Sequence, residues 1–167
     1  MKQETKKAPM TPRGIKNNNP LNIEYHKRNN WHGQLPYNKI IEPRFCRFSD
    51  MMWGYRAAAI MLKKYINEYG CNTVTKIIGR WAPAAEKANN TNAYVQTVAK
   101  MSNVGIDQKI SFDDQLVMLG IMSAMTVVEC GVLWNPQHNA ALWDALYKGY
   151  KMVREHKTNF SSVEDAK

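Results

Sequence analysis

The longest apolar run in the chain constrains its fold more than any other feature. It extends from Leu116 to Val128 and is interrupted only by a glycine, a serine and a threonine. Thirteen residues are too few to span a bilayer, which takes about 20 residues of helix. A helix that is apolar almost all round lies at the centre of a domain. The run therefore predicts a central helix over about residues 112–130, which Ser111 and Asp114 open as a capping box.

The rest of the chain divides around this helix. Residues 1–12 are polar and basic and predict a flexible N-terminal tail. Residues 13–50 are rich in Asn, Gly and Pro and predict an irregular segment with a small β element. Residues 50–157 carry the helical patterns, and residues 158–167 predict a polar C-terminal tail. We expect one mainly α domain over residues 13–157.

Local signals predict where the other helices begin and end. Ser49 or Asp50 caps a helix that stops at Gly70, and a short helix follows over about residues 73–81. A third helix begins after Asn90 or Thr91 and ends at Gly105. The last helix is predicted to begin at Asn135-Pro136. Small β pairing is expected between residues 22–25 and 44–48.

Composition limits the classes of partner. The chain has 167 residues, of which 44% are hydrophobic and 22% are charged, as in an ordinary globular domain. The net charge is +9, and six of these charges fall in the first 50 residues. A basic protein is attracted to nucleic acid, anionic membranes or the acidic polymers of a bacterial wall, and charge alone does not choose among them.

Several chemistries lack sequence support. The three cysteines, Cys46, Cys71 and Cys130, form no C-x-x-C pair, and the four histidines show no metal spacing. No phosphate-binding glycine loop and no G-x-S-x-G motif is present. We expect no metal, no cofactor and no membrane insertion. The N-terminus lacks the apolar core of a secretory signal, so we expect synthesis in the cytoplasm.

Glu129 is the first candidate for a catalytic group. It lies at the C-terminal end of the central helix, where apolar neighbours and the negative end of the helix dipole both disfavour its charged form. A carboxyl group that stays protonated near neutral pH is suited to general-acid cleavage of a glycosidic bond. A helix-end glutamate that reaches solvent, or pairs with a basic residue, fits the same pattern.

A cluster of amides and an aromatic residue forms the second candidate site. Amides bond sugar hydroxyl and N-acetyl groups, and aromatic rings stack on sugar faces. Turns that satisfy their own backbone explain the same asparagines. Its members are Asn17, Asn18, Asn19, Asn22, Trp31 and Gln34.

Three further acidic residues are weaker candidates. Glu86 lies in a loop ahead of a helix and suits either substrate binding or favourable interaction with the helix N-terminus. Glu24 is a second candidate for the carboxylate facing Glu129. Asp50 fits a helix cap better than a catalyst.

These residues resemble a family of small phage virion proteins that are suspected of degrading the bacterial wall. The family reads approximately R-G-I-R-N-N-N-P-G-N-I, W-x-G-Q, F, G-x-R-A, N-T, W-A-P and N-x-T-x-x-Y, and residues 13–105 match it in that order. Leu21 stands where a glycine is usual. The family closes an apolar helix with E-N-G, and here Cys130 replaces the asparagine between Glu129 and Gly131. The resemblance implies that Trp81 and Tyr94 also contact substrate.

A looser similarity implies a mechanism. Lysozyme-like wall enzymes, including lytic transglycosylases, place their catalytic glutamate at a helix end before a small pair of residues, as in ECGVLWNP here. Their Asn- or Gly-containing segment follows that helix, whereas the NNNPLNI segment here precedes it. The similarity implies a circularly permuted lysozyme-like fold, in which Glu129 protonates the bond between N-acetylmuramic acid and N-acetylglucosamine. With Glu24 or Glu86 as a second carboxylate the outcome is hydrolysis, and without one it is transglycosylation.

The expected partners are peptidoglycan strands and other virion or secretion-machine proteins, with delivery to the cell wall or periplasm. The main alternative is a non-catalytic virion or wall-binding module on the same fold. Nucleic-acid binding rests on charge alone, since no recognition motif is present. A cysteine peptidase using Cys46 or Cys130 is a further alternative, and thiol alkylation would test it.

Overall fold

The computed structural model describes residues 10–86, 90–132 and 139–156. Its described part is mainly helical, as the sequence predicts. The predicted tails over residues 1–12 and 158–167, and the start of the last helix at Asn135, lie wholly or largely outside the described residues. The helices in this part of the chain are α1 (Arg13–Lys16), α2 (Met51–Asn67), α3 (Val74–Trp81), α4 (Thr91–Ser102), α5 (Gln115–Cys130) and α6 (Ala140–Glu155).

Side-chain caps explain most helix starts. The Asp50 carboxylate accepts a hydrogen bond from the amide of Met52 at 2.8 Å and begins α2. Thr73 caps α3, and Asn90 caps α4. Two predicted ends differ from the structure. Helix α2 ends at Asn67, before Gly70, and α4 ends at Ser102, because the left-handed backbone of Asn103 (φ 54°) closes the helix before Gly105.

The central helix is shorter at its start than predicted. Asp114 occupies the N-cap position and accepts from the amide of Val117, so α5 begins at Gln115 rather than near residue 112. Its C-terminal end agrees with the prediction, since Gly131 adopts the left-handed conformation (φ 64°) that stops the helix. The α5 side chains that form the centre of the core are Met118, Ile121, Met122, Ala124 and Met125.

The helices form two packed groups around α5. Helix α6 lies against α2, while α4 lies against α5 and α3. The predicted β element is reduced to two isolated antiparallel bridges in the described residues, Glu24 with Phe45 and Gln34 with Phe48. Hydrogen bonds from Asn22 to Glu129 and from Cys130 to Pro20 hold the N-terminal segment at the end of α5.

Candidate active site

Glu129 lies at the junction of three parts of the chain. Its Oε1 accepts a hydrogen bond of 3.1 Å from the hydroxyl of Tyr94 on α4. Its Oε2 accepts one of 3.1 Å from the Nδ2 of Asn22, which also donates to the Glu129 carbonyl at 3.2 Å. The side chain is therefore fixed from two sides while it remains partly open to solvent.

Burial dominates the electrostatics of this carboxyl group. Desolvation raises the pKa of Glu129 above its ordinary value, because the charged form loses hydration. Hydrogen bonds from Asn22, Tyr94 and Trp81 and the charge of Arg44 lower the pKa and oppose that effect in part. The net shift keeps the group protonated to higher pH than an exposed glutamate.

Glu129 opens into a cleft of about 350 Å³. Two other carboxylates, Glu24 and Glu86, line the same cleft. Glu24 is paired with Arg44, whose Nη2 and Nε lie 2.6 and 2.8 Å from its Oε1. The remaining lining residues are Asn22, Ile23, Asn29, Arg44, Phe45, Met61, Tyr65, Arg80, Trp81, Ala82 and Pro83.

A tight turn presents Asn22 to Glu129. Asn22 has a left-handed backbone (φ 52°), a conformation that asparagine tolerates better than most residues. The side chain of Asn19 closes the turn, because its Oδ1 accepts from the amide of Ile23 and its Nδ2 donates to the carbonyl of Ile23. The turn also contacts the end of α5, where the thiol of Cys130 donates to the carbonyl of Pro20 at 3.2 Å.

Gly14 allows this close approach. A Cβ at this position would lie 2.8 Å from the Sγ of Cys130, 2.9 Å from the carbonyl oxygen of Asn19 and 3.0 Å from the Oδ1 of Asn22. Because real Cβ contacts are longer, any other residue would push the turn away from α5. The glycine of the R-G-I segment is thus a packing requirement of the site.

A buried carboxylate, Glu42, holds the same N-terminal segment in place through hydrogen bonds to Arg13 and Asn17. Glu42 is 4% exposed and accepts two hydrogen bonds from the guanidinium of Arg13, at 2.6 and 2.9 Å. It also accepts from the Nδ2 of Asn17 and from the amides of Arg44 and Phe45. These bonds, the one from Arg13 above all, hold the pKa of Glu42 far below its usual range.

Sequence similarity to a phage protein shows the family of this chain. Protein P5 of Pseudoalteromonas phage PM2 is 32% identical to it over 141 residues, which cover 83% of this chain and 80% of the phage protein. The chain belongs to the protein P5 family. No protein-family model matches it.

In this P5-family chain, five predicted site residues line the cleft. They are Glu24, Glu86, Glu129, Asn22 and Trp81. Tyr94 is 7% exposed and bonds Glu129 from the interior, so it positions the carboxyl group rather than facing the cleft.

The other predicted sugar-binding residues are positioned differently. Asn19 is fully buried, and its side chain bonds backbone atoms of Ile23 and Cys46. Asn18 donates to the carbonyl of Phe48 from a left-handed backbone (φ 51°). Trp31 is only 3% exposed, so its ring is not available to a sugar. Gln34 accepts from the amide of Trp31. Asn18, Asn19 and Gln34 bond backbone atoms of residues 23–48, and the Trp31 ring is buried. These four residues therefore support the N-terminal segment and do not line the cleft.

Sequence reasoning missed the cleft arginines and Glu42. Glu42 is the only acidic residue between positions 25 and 49, amid five Lys or Arg residues, and that isolation was a usable signal. Arg44 and Arg80 gave no local signal, because their positions in the cleft depend on contacts distant in sequence.

Two further features, a metal site and a membrane-spanning helix, are absent from the described residues. No group of three His, Cys, Asp or Glu side chains among residues 10–86, 90–132 and 139–156 is arranged to hold a metal ion. In the same part of the chain, no helix has the length and apolar character to cross a membrane.

Proposed function

We propose that this P5-family protein degrades peptidoglycan by cleaving the bond between N-acetylmuramic acid and N-acetylglucosamine. Glu129 is the general acid that protonates the glycosidic oxygen. The observation that carries the proposal is a partly buried carboxyl group, with its pKa raised by burial, at the wall of a polar and aromatic cleft. A protonated carboxyl group beside a bound glycan is what acid-assisted cleavage requires.

The cleft lining suits a sugar polymer. The rings of Tyr65 and Trp81, whose centroids are 6.0 Å apart, offer apolar surface for sugar faces. Asn22 and Asn29 offer amide groups for hydroxyl or N-acetyl groups. The net charge of +9 favours approach to an anionic wall.

The contact between Asn22 and Glu129 supports a permuted lysozyme-like arrangement. The two side chains are 107 residues apart in sequence and 3.1 Å apart in space. The Asn-rich segment and the glutamate helix therefore meet at one site, in the reverse chain order from the enzymes they resemble. Had they lain on opposite faces, the proposal would have no basis.

After Glu129 protonates the glycosidic oxygen, the product depends on whether a second carboxylate activates water. Glu24 is held by Arg44, which occupies one of its oxygens. Glu86 lines the cleft from the turn after Pro83. If either residue activates water the enzyme is a hydrolase, and if neither does, a group of the substrate closes a 1,6-anhydro ring and the enzyme is a lytic transglycosylase.

The family suggests where the activity is used. A phage protein that carries a wall-degrading site is suited to delivery in the virion, with local digestion during genome entry, or to release of progeny at the end of infection. Other virion proteins are the proposed partners in the first case.

One observation favours a second candidate function, a non-catalytic virion or wall-binding module. Both carboxylate oxygens of Glu129 accept hydrogen bonds, and these bonds join α4, α5 and the N-terminal turn. A glutamate that only holds these elements together would make the same contacts. On this alternative the cleft binds glycan without cutting it.

Digestion of purified peptidoglycan by wild type and by Glu129→Gln separates the two candidates. Glutamine keeps the shape but cannot donate the proton, so we expect activity to fall about 100-fold to 10,000-fold while the protein stays folded. Mass spectrometry of the products identifies 1,6-anhydro ends for a transglycosylase and reducing ends for a hydrolase. Glu24→Gln and Glu86→Gln are the matched variants for the second carboxylate. If no wall is digested but glycan strands bind, the module is favoured.

A further inference from the structure

Arg80 is a cleft residue whose charge has no carboxylate partner in the described residues. It lies near the C-terminal end of α3, and its guanidinium carbon is 4.2 Å from the ring centroid of Tyr69 and 5.0 Å from that of Tyr65. Aromatic rings at these distances attract a cation and restrict its movement. The guanidinium is therefore held in place at the wall of the cleft.

Arg44, the other arginine of the cleft, differs in this respect. It donates hydrogen bonds from two of its nitrogens to Glu24, so it already has a carboxylate partner. Among residues 10–86, 90–132 and 139–156, the ion pairs join other residues and none joins Arg80 to a carboxylate. Arg80 is also exposed, so its donors can reach a ligand in the cleft.

We propose that Arg80 is a specificity residue that binds a carboxylate carried by the glycan strand. This inference rests on the proposed function and adds the chemical class of the substrate. Planar guanidinium groups bind carboxylates through two parallel hydrogen bonds, which a lysine cannot reproduce. The cleft thereby prefers peptidoglycan, whose muramic residues bear carboxylates, to chitin, which has a similar N-acetylated backbone without them.

The carboxylate has two chemical sources. Intact strands carry it on their peptide stems, while strands stripped of stems at the lactyl amide carry it on the freed lactyl group. Chitooligosaccharides of equal length carry neither. These three ligands separate the stem from the lactyl source and both from a neutral glycan.

The test measures binding of the three ligands in the Glu129→Gln background, which prevents turnover. We expect Arg80→Gln to weaken binding of at least one carboxylate-bearing ligand about tenfold and to leave chitooligosaccharide binding unchanged. Arg80→Lys restores part of the affinity, because charge is kept and the paired geometry is lost. Lys76→Gln is the matched control, since Lys76 is exposed on the same helix and does not line the cleft.

The outcomes that contradict the inference are distinct from failure of the proposed function. If Arg80→Gln binds all three ligands as the parent does, or binds all three more weakly by the same factor, Arg80 does not recognise a carboxylate. Digestion by wild type in either case leaves the proposed function intact. If wild type neither digests peptidoglycan nor binds any of the three ligands, the inference and the proposed function fail together. Thermal unfolding of Arg80→Gln and Arg80→Lys checks that both variants stay folded without the guanidinium contacts to Tyr65 and Tyr69.

Discussion

Two shielded carboxyl groups in this molecule, Glu42 and Glu129, have pKa values shifted in opposite directions. Glu42 has a guanidinium, an amide side chain and two backbone amides around it, and its pKa is lowered. Glu129 has neutral hydrogen-bond donors and a more distant charge from Arg44, and its pKa is raised. Burial removes water from both groups, so the opposite pKa shifts come from the donors and charges that replace the water.

The comparison separates a structural carboxylate from a reactive one. A carboxylate that gains a bonded cation and several donors is stable in its charged form and ties chain segments together. A carboxyl group with fewer and neutral donors keeps its proton to higher pH. A substrate bound in the cleft beside Glu129 is placed to accept that proton. The two residues are connected, since Glu42 holds the segment that delivers Asn22 to Glu129.

Glu42→Ala should give the largest loss of stability. It leaves the donors of Arg13, Asn17 and two backbone amides without their acceptor, and we expect a cost of about 3 kcal/mol in the free energy of unfolding. Urea denaturation measures it. Glu24→Ala is the control, because its pair with Arg44 is more than half exposed and should contribute under about 1 kcal/mol. Equal losses in the two variants would contradict the structural role of Glu42.

Gly14→Ala should come next, with a loss of about 2 kcal/mol. The added methyl group would meet Cys130 and Asn19 at under 3 Å, and relief of the clash moves the turn that holds Asn22. Peptidoglycan digestion should therefore fall along with thermal stability. Gly79→Ala on α3 is the control, since its Cβ would meet no atom within 4 Å and a helix gains about 0.5–1 kcal/mol from the change. A fully active and stable Gly14→Ala protein would contradict the packing argument.

The helices could be predicted from sequence because their signals are local. The caps at Asp50, Thr73 and Asn90 and the stop at Gly131 lie next to the residues they control. The start of α5 was misplaced because Ser111 and Asp114 both offer a capping oxygen, and only the structure shows that Asp114 occupies the cap position.

The candidate site was predicted only in part. Glu129 followed from its position at the end of an apolar helix, but its partners Asn22 and Tyr94 are 107 and 35 residues away in sequence. Asn19 and Trp31 were misassigned because asparagine serves turns and sugar binding alike, and because burial of an aromatic ring depends on distant packing. Side-chain type alone does not distinguish these roles.

The pH dependence of stability should differ between Glu42 and Glu129. A lowered folded-state pKa means that the contribution of Glu42 is complete above the ordinary value of 4.5 and is lost as the pH falls below it. A raised pKa means that the contribution of Glu129 is complete below 4.5 and is lost as the pH rises through the folded-state value.

Glu129→Gln should therefore be more stable than wild type at pH 8, and the gain should shrink near pH 4. Glu42→Gln should be less stable than wild type at pH 8, with the deficit shrinking in acid. Thermal unfolding at both pH values measures the two trends. If Glu129→Gln lost stability at pH 8 as Glu42→Gln does, Glu129 would be a structural carboxylate too.

Tyr94→Phe should have the smallest effect. It tests the balance between burial, which raises the pKa of Glu129, and hydrogen bonding, which lowers it. The hydroxyl of Tyr94 stabilises the charged carboxylate, so its removal should raise the pKa of Glu129 further. The alkaline limb of the activity profile should then move to higher pH, by less than about one unit, since one neutral hydrogen bond is worth about 1 kcal/mol. A pH series of peptidoglycan digestion measures the shift, with Tyr147→Phe on α6, outside the cleft, as the control. A shift to lower pH would contradict the assignment of Tyr94, because losing a donor to a carboxylate cannot make that carboxylate easier to form.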